Sequence, residues 1–318
     1  MRALAICAVL GMSFAASSGR AGTKPAGVQI EMRNVRLHLD DAITVDVARL
    51  RGTMISRTPG KPPIFDDQRS FAIDLATASL SMDMASVTSL MNAHVFAYQG
   101  APLTNLAVRT TADGRLEMKG TLHKGLSVPF SSKASVAPAG AAGVKLHIES
   151  MKAVGIPAKG LLELFGLKLE DLIDLKNRRG IDVQDNDIIL QPGQVLPPPE
   201  LRGNLSRVAV EGNRLLLTFT SDQRPVDLTR PDPRAKNYIY FGGGVITFGK
   251  LTMTDTDLQL IDEDPKDPFD FYPTKYSGQL VAGYSKNTPR KGLKTFMPDY
   301  DDLPRGSSTP RAARHSSN

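Results

Sequence analysis

Met84-Ala85-Ser86-Val87-Thr88-Ser89-Leu90-Met91-Asn92-Ala93-His94-Val95-Phe96-Ala97-Tyr98 opens a stretch, running on to Val108, that contains no Asp, Glu, Lys or Arg in a chain that is 23% charged. Val87, Leu90, Met91, His94, Val95 and Tyr98 recur at helical spacing. The opposite face carries Thr88, Ser89, Asn92, Ala93 and Ala97, where a solvent-facing helix would carry charge. The pattern predicts a long helix enclosed by the rest of the fold.

The surrounding sequence reads as strands. Val35 to Leu39 and Ile43 to Leu50 alternate apolar and polar residues, and Phe71, Ile73 and Leu75 resume the alternation after a Pro-rich loop. Leu103 to Thr111, Leu116 to Leu122, Leu126 to Val136 and Val144 to Ala153 follow, joined by short turns, as an antiparallel meander. The period then changes. Leu161, Leu162, Leu164, Phe165, Leu167, Leu172 and Leu175 predict a second, leucine-rich helix, opened by Pro157 and broken at Gly166. Short strands are expected at Ile188 to Leu190, Leu205 to Val210 and Leu215 to Thr220, and, after a Pro-rich linker, at Tyr238 to Phe241, Val245 to Leu251 and Leu258 to Ile261.

The fold class expected from this order is α+β: a strongly curved antiparallel sheet wrapped around a long helix, plus a second broken helix and a C-terminal extension. The expected divisions are 1–21, 22–221, 222–285 and a basic, largely disordered tail over 286–318.

At the N-terminus, Met1 and Arg2 precede an apolar run from Ala3 to Ala16 and small residues up to Ala21, the layout of a secretory signal peptide. The run is shorter than the roughly 20 apolar residues of a membrane span. The expectation is export to the periplasm or cell envelope. Cys7 is the only cysteine and lies inside that signal, so the mature chain would have no disulfide and no thiolate chemistry. The formal charge of +6 is unevenly placed. Arg2 and Arg20 carry two of the six, and the segment from Lys286 carries a surplus of four, with seven Lys or Arg against three Asp. A neutral body argues against nucleic acid as a partner. The basic tail is a candidate for contact with a membrane surface.

Catalytic and metal motifs are missing. No Gly-x-Ser-x-Gly elbow, His-Glu-x-x-His pair or phosphate loop occurs. His38, His123 and His147 fall in alternating strands, and His315 in the tail. His94, on the apolar side of the uncharged helix, would need an acid such as Asp83 or Asp74 to serve a hydrolase. The acids Asp182, Asp185 and Asp187, and Asp255, Asp257, Asp262, Glu263 and Asp264, miss the spacing of a calcium loop and read as turn residues. No catalytic residue, metal or cofactor is assigned. The remaining constellation is apolar, with Val87, Leu90, Met91 and Val95 on the first helix and Leu161, Leu164, Phe165 and Leu172 on the second. They line either an ordinary core or a tunnel for an acyl chain.

Ser86 to Met91, Gly120-Thr121-Leu122, Val128-Pro129-Phe130, Ile156-Pro157 leading into Leu161 to Phe165, Leu201 to Leu205 and Val208 to Leu215 together resemble the LmeA-like family of bacterial envelope lipid-binding proteins, of the tubular lipid-binding (TULIP) superfamily. About a hundred residues follow the last matching strand. The resemblance implies non-catalytic binding or transfer of a phospholipid or similar amphiphile in an apolar cavity. The competing reading is a scaffolding envelope protein with a solid core, contacting partners through Phe269 to Tyr284.

Overall fold

The computed structural model describes residues 27–124, 126–153, 180–221 and 227–304. β1 (Val28–His38), β2 (Thr44–Ser56) and β3 (Phe71–Asp83) form an antiparallel meander. In β2 the inward residues Val45 and Val47 give way to Leu50 and Met54, a change of phase that falls at a bulge between Val47 and Arg49. A bulge is the way a strand of period two re-aims its apolar face without losing its partner.

Both free edges of this meander are shared between two strands. On β3, β12 (Arg214–Thr220) pairs antiparallel with Thr77 to Asp83, and β10 (Glu200–Arg202) pairs parallel with Ala72 to Asp74. β11 (Asn204–Glu211) completes a hairpin on β12. On β1, β13 (Tyr238–Gly242) pairs with Gln29 to Arg33 and β17 (Phe269–Phe271) runs parallel to Val35 to Leu37. β16 (Asp257–Asp262), β19 (Leu293–Met297) and β18 (Tyr284–Asn287) extend that side and bring the sheet to eleven strands. A second sheet has the order β4 (Leu103–Thr110), β5 (Leu116–Lys124), β6 (Leu126–Ala139), β7 (Gly143–Ala153), β9 (Asp187–Leu190), β8 (Ile181–Gln184). A separate hairpin joins β14 (Val245–Phe248) to β15 (Leu251–Thr254). Gly243 and Gly244, both at positive φ, make the bend between β13 and β14, and a Cβ on Gly244 would meet the Gly27 carbonyl at 2.7 Å.

The expected α+β architecture around a long helix is not what the chain forms. Strands take 55% of the described residues and helices 9%, in three short helices. They are α1 (Met84–Leu90), which continues as a π turn over Met91–Val95, α2 (Pro192–Val195) and α3 (Tyr276–Ala282). The wide turn at Met91 to Val95 ends at Phe96, whose φ of −112° has already left the helix, so the apolar recurrence out to Tyr98 overstated its length. The lack of charge on the polar face has a local cause. β4 is the edge of the second sheet, and Thr88 and Asn92 satisfy its free backbone groups: Val108 N–H donates to Thr88 Oγ1 at 3.0 Å, Leu106 N–H to Asn92 Oδ1 at 2.9 Å, and Asn92 Nδ2 donates back to Leu106 O at 2.8 Å. Short uncharged side chains dock against an edge where Lys or Glu would hold the helix off. The second expected helix, from Leu161 to Leu175, lies outside the described residues.

Residues 227–304 continue the large sheet directly. Ile239, Phe241, Phe269, Phe271 and Met297 are all fully buried in the same core as Val28, Ile30 and Val35. The segment from Lys286, read from sequence as largely disordered, contributes β18 and β19 as far as the described residues go. Three of its described cations are engaged. Arg290 lies 3.5 Å from Asp257, Lys294 lies 3.5 Å from Asp232, and Lys286 sits over the Tyr284 ring at 5.2 Å.

Candidate functional site

The inward faces of β1, β2 and β3 enclose an apolar cavity of about 80 Å³ with the 196–201 segment at its side. Ile30, Val47, Met54, Leu80 and Phe271 are among its walls, and among the described residues Gln68 is the only polar one that lines it. A second cavity of about 60 Å³ lies between α1, β12 and the second sheet, with Val108, Met118 and Leu146 in its walls and no polar residue among the described residues that line it. Met82, Leu196 and Leu217 line both. The two cavities are therefore neighbours across three side chains, in one apolar cleft of which the second cavity forms the part between the sheets.

Val87, Leu90 and Met91 line the second cavity. Val95 is buried, 2% exposed, but does not line either one. Leu161, Leu164, Phe165 and Leu172 lie outside the described residues. Most of the lining comes instead from strands. Leu116 and Leu215 fall in segments that the sequence reads as strands, but no one-dimensional signal says that two different strands turn them, with Met82, towards one cleft.

The outer faces of the same strands build a polar pocket. Leu37 and Leu39 line the first apolar cavity, whereas His38 between them lines a pocket of about 460 Å³ with Asp41, Tyr272, Tyr300, Asp301, Leu303 and Pro304. Phe271 and Tyr272 divide in the same way. His38 Nε2 hydrogen-bonds Asp270 Oδ1 at 2.5 Å, and the imidazole stacks on Tyr272 at 5.1 Å between centroids. Tyr300 stands across both rings, 5.5 Å from His38 and 4.8 Å from Tyr272. Lys275 Nζ lies 4.4 Å over the Tyr272 ring, 5.8 Å from that of Tyr300, and donates to Asp41 Oδ1 at 2.5 Å. Hydrogen bonds from Lys275 and Tyr272 hold the Asp41 carboxyl below its ordinary range.

Behind this pocket sits a chain of acids. His38, Asp270 and Asp301 bring one ligand atom each to within 4.8 Å of one another, as do Asp262, Asp267 and Asp299, so either group has donors that can hold a metal ion. The sequence grouping of Asp255 to Asp264 did not foresee these sets, because their members come from β1, β16, the loop after it, β17 and the segment after β19. Asp270 N–H donates to Asp299 Oδ1 at 2.7 Å. Burial, with the nearby carboxylates of Asp262, Asp267 and Asp270, nevertheless pushes Asp299 up to about 7.

His94 pairs with Asp40, its Nε2 lying 3.1 Å from Asp40 Oδ2. The two acids considered as its partners are engaged elsewhere. Asp83 Oδ1 caps α1 by accepting from Ser86 N–H at 2.7 Å, and Asp74 lies 3.8 Å from Arg202. Among the described residues no helix is long and apolar enough to cross a membrane. The chain matches no protein-family model, no curated protein and no solved structure.

Proposed function

We propose that the cleft between the two sheets takes the acyl chain of a phospholipid-like amphiphile, and that the protein binds or transfers such molecules in the cell envelope. The observation that carries this reading is the lining. Among the described residues Gln68 is the one polar residue around two adjoining cavities, so an aliphatic chain would meet methyl and methylene groups along the cleft. Cavities of about 80 and 60 Å³ are smaller than the roughly 300–1,000 Å³ of occupied small-molecule sites, so loading requires the cleft to widen. Met82, with its flexible thioether, and Leu196 and Leu217 form the partition whose rotation joins the two spaces. Each methylene buried from water is worth about 0.8 kcal/mol, but a chain leaving a bilayer is already dry. Exchange between membrane and cleft is then close to neutral, which permits both loading and release.

Native mass spectrometry and solvent extraction of the protein purified from its own host provide the test. A co-purifying lipid and saturable uptake of a fluorescent fatty acid are expected. A ligand-free protein that takes up no fluorescent lipid would favour the scaffolding alternative, with the two cavities as packing voids of an ordinary core.

A further inference from the structure

We propose that the pocket formed by Tyr272, Tyr300, Asp41 and Asp301 is a recognition site for a quaternary ammonium group, of the choline type, and that the ammonium of Lys275 is its built-in occupant when the ligand is absent. The proposal does not depend on the apolar cleft, which lies on the other face of β1 and β17.

Three features of the pocket favour such a ligand. First, a cation already rests against three of the lining residues, at the pocket's edge: Lys275 Nζ lies 4.4 Å over one tyrosine ring and 5.8 Å from a second, with the Asp41 carboxylate at 2.5 Å. The electron-rich faces of the rings and the carboxylate attract positive charge together. Second, the pocket has more space than Lys275 needs. About 460 Å³ opens beside the rings, walled on the far side by Leu303 and Pro304 and by a second acid, Asp301. The tyrosine ring faces, with Leu303 and Pro304, offer methyl groups contacts that a strongly hydrated lysine ammonium uses less well. Third, the Tyr272 ring is held in place. Tyr272 is 4% exposed, its hydroxyl donates to Asp41 at 3.0 Å, and His38, tied to buried Asp270, stacks on it. Ring positions that are fixed beforehand cost little ordering on binding. Lys275 itself is 43% exposed on its side chain and can swing out to solvent once a competitor takes the ring faces.

The experiment is a titration of the full chain with tetramethylammonium, choline and, as the hydrated control, ammonium, followed by calorimetry and by tyrosine chemical shifts. Tetramethylammonium and choline are expected to bind at least about tenfold more tightly than ammonium, in line with the preference of aromatic faces for poorly hydrated cations. Lys275→Ala removes the resident ammonium from an exposed position and should tighten choline binding by about three- to tenfold. Tyr272→Leu and Tyr300→Leu should each weaken it by about tenfold. Tyr284→Leu, which removes the separate contact of Lys286 with Tyr284, should change nothing. The gain in Lys275→Ala keeps the test decisive if a tyrosine variant folds poorly. Vesicles of phosphatidylcholine, compared with vesicles of phosphatidylglycerol, separate a lipid headgroup from a free solute: selective vesicle binding assigns the former, and binding of free choline alone the latter. The proposal is overturned if the natural chain binds no quaternary ammonium, if only Lys275→Ala binds it, or if both tyrosine variants bind as the natural chain does.

Discussion

Glu31 illustrates how a single buried charge organises its surroundings. It is 5% exposed on β1, and its two carboxylate oxygens are divided between Arg51 at 3.1 Å and Arg230 at 2.9 Å, with the Tyr238 hydroxyl donating as well. Arg230 lies 4.8 Å over the Tyr238 ring, so removal of Glu31 leaves a guanidinium in a partly dry site without its counter-ion. Glu31→Ala should destabilise the fold by about 3 kcal/mol in chemical denaturation, the usual effect of breaking a buried pair from one side. Asp299 has the opposite sign. Its carboxyl, raised to about 7, holds its proton more tightly in the folded chain than in the unfolded one. Between about pH 4 and 7 the folded state therefore binds more protons, and this group's contribution to stability is lost as pH rises through that window. Asp299→Asn should melt higher than the natural chain at pH 8, by on the order of 1 kcal/mol because solvent screens a half-buried group, and the gap should close towards pH 4. A gap that stays constant with pH would rule out this titration as its cause.

The uncharged segment from Met84 to Val108 is two elements. Its first half is a short helix with a π turn and its second half is the edge strand against which that helix is sewn. The sequence reading of a long enclosed helix is overturned: the helix is short, and although Val87, Leu90, Met91 and Val95 are buried, Ala85, Ala93, His94 and Ala97 are exposed. Helical spacing reports which side chains share a face, and it does not report what the other face touches. Here that face meets backbone amides of β4, which Thr88 and Asn92 satisfy at no cost in charge. Asn92→Ala should cost about 1–3 kcal/mol in thermal or denaturant unfolding, since it leaves the amide and carbonyl of Leu106 unpaired beneath the helix. Amide exchange at Leu106 and Val108 should accelerate in the variant, and unchanged protection there would mean that the helix does not hold the edge.

For the molecule as a whole, the apolar cleft exists because two sheets of different origin close on each other. β11 packs against β6 and β7, and Leu205 N–H donates to the Ala141 carbonyl at 2.6 Å, while α1 bridges β3, β12 and β4. Leu217→Trp places a bulky ring in the partition between the two cavities. It should reduce uptake of a fluorescent fatty acid by at least about tenfold with a thermal midpoint within a few degrees of the natural chain, because the existing voids absorb part of the added volume. Retained uptake with normal stability would separate the lipid from this cleft.

Alternation of apolar and polar residues determined by itself that this chain is rich in strands, and it located the meander from Leu103 to Ala153 and the hairpin around Glu211-Gly212-Asn213. That is local information: a period of two survives whatever the strand later packs against. Composition and motif reading determined the absence of familiar catalytic signatures in the same way. Only the tertiary structure decided that the chain from Tyr238 onward returns to β1, that Tyr272 and Tyr300 meet His38 across more than two hundred residues, and that Met82, Leu196 and Leu217 meet in one cleft. Those pairings follow from strand register and chain closure, which depend on the whole set of competing partners.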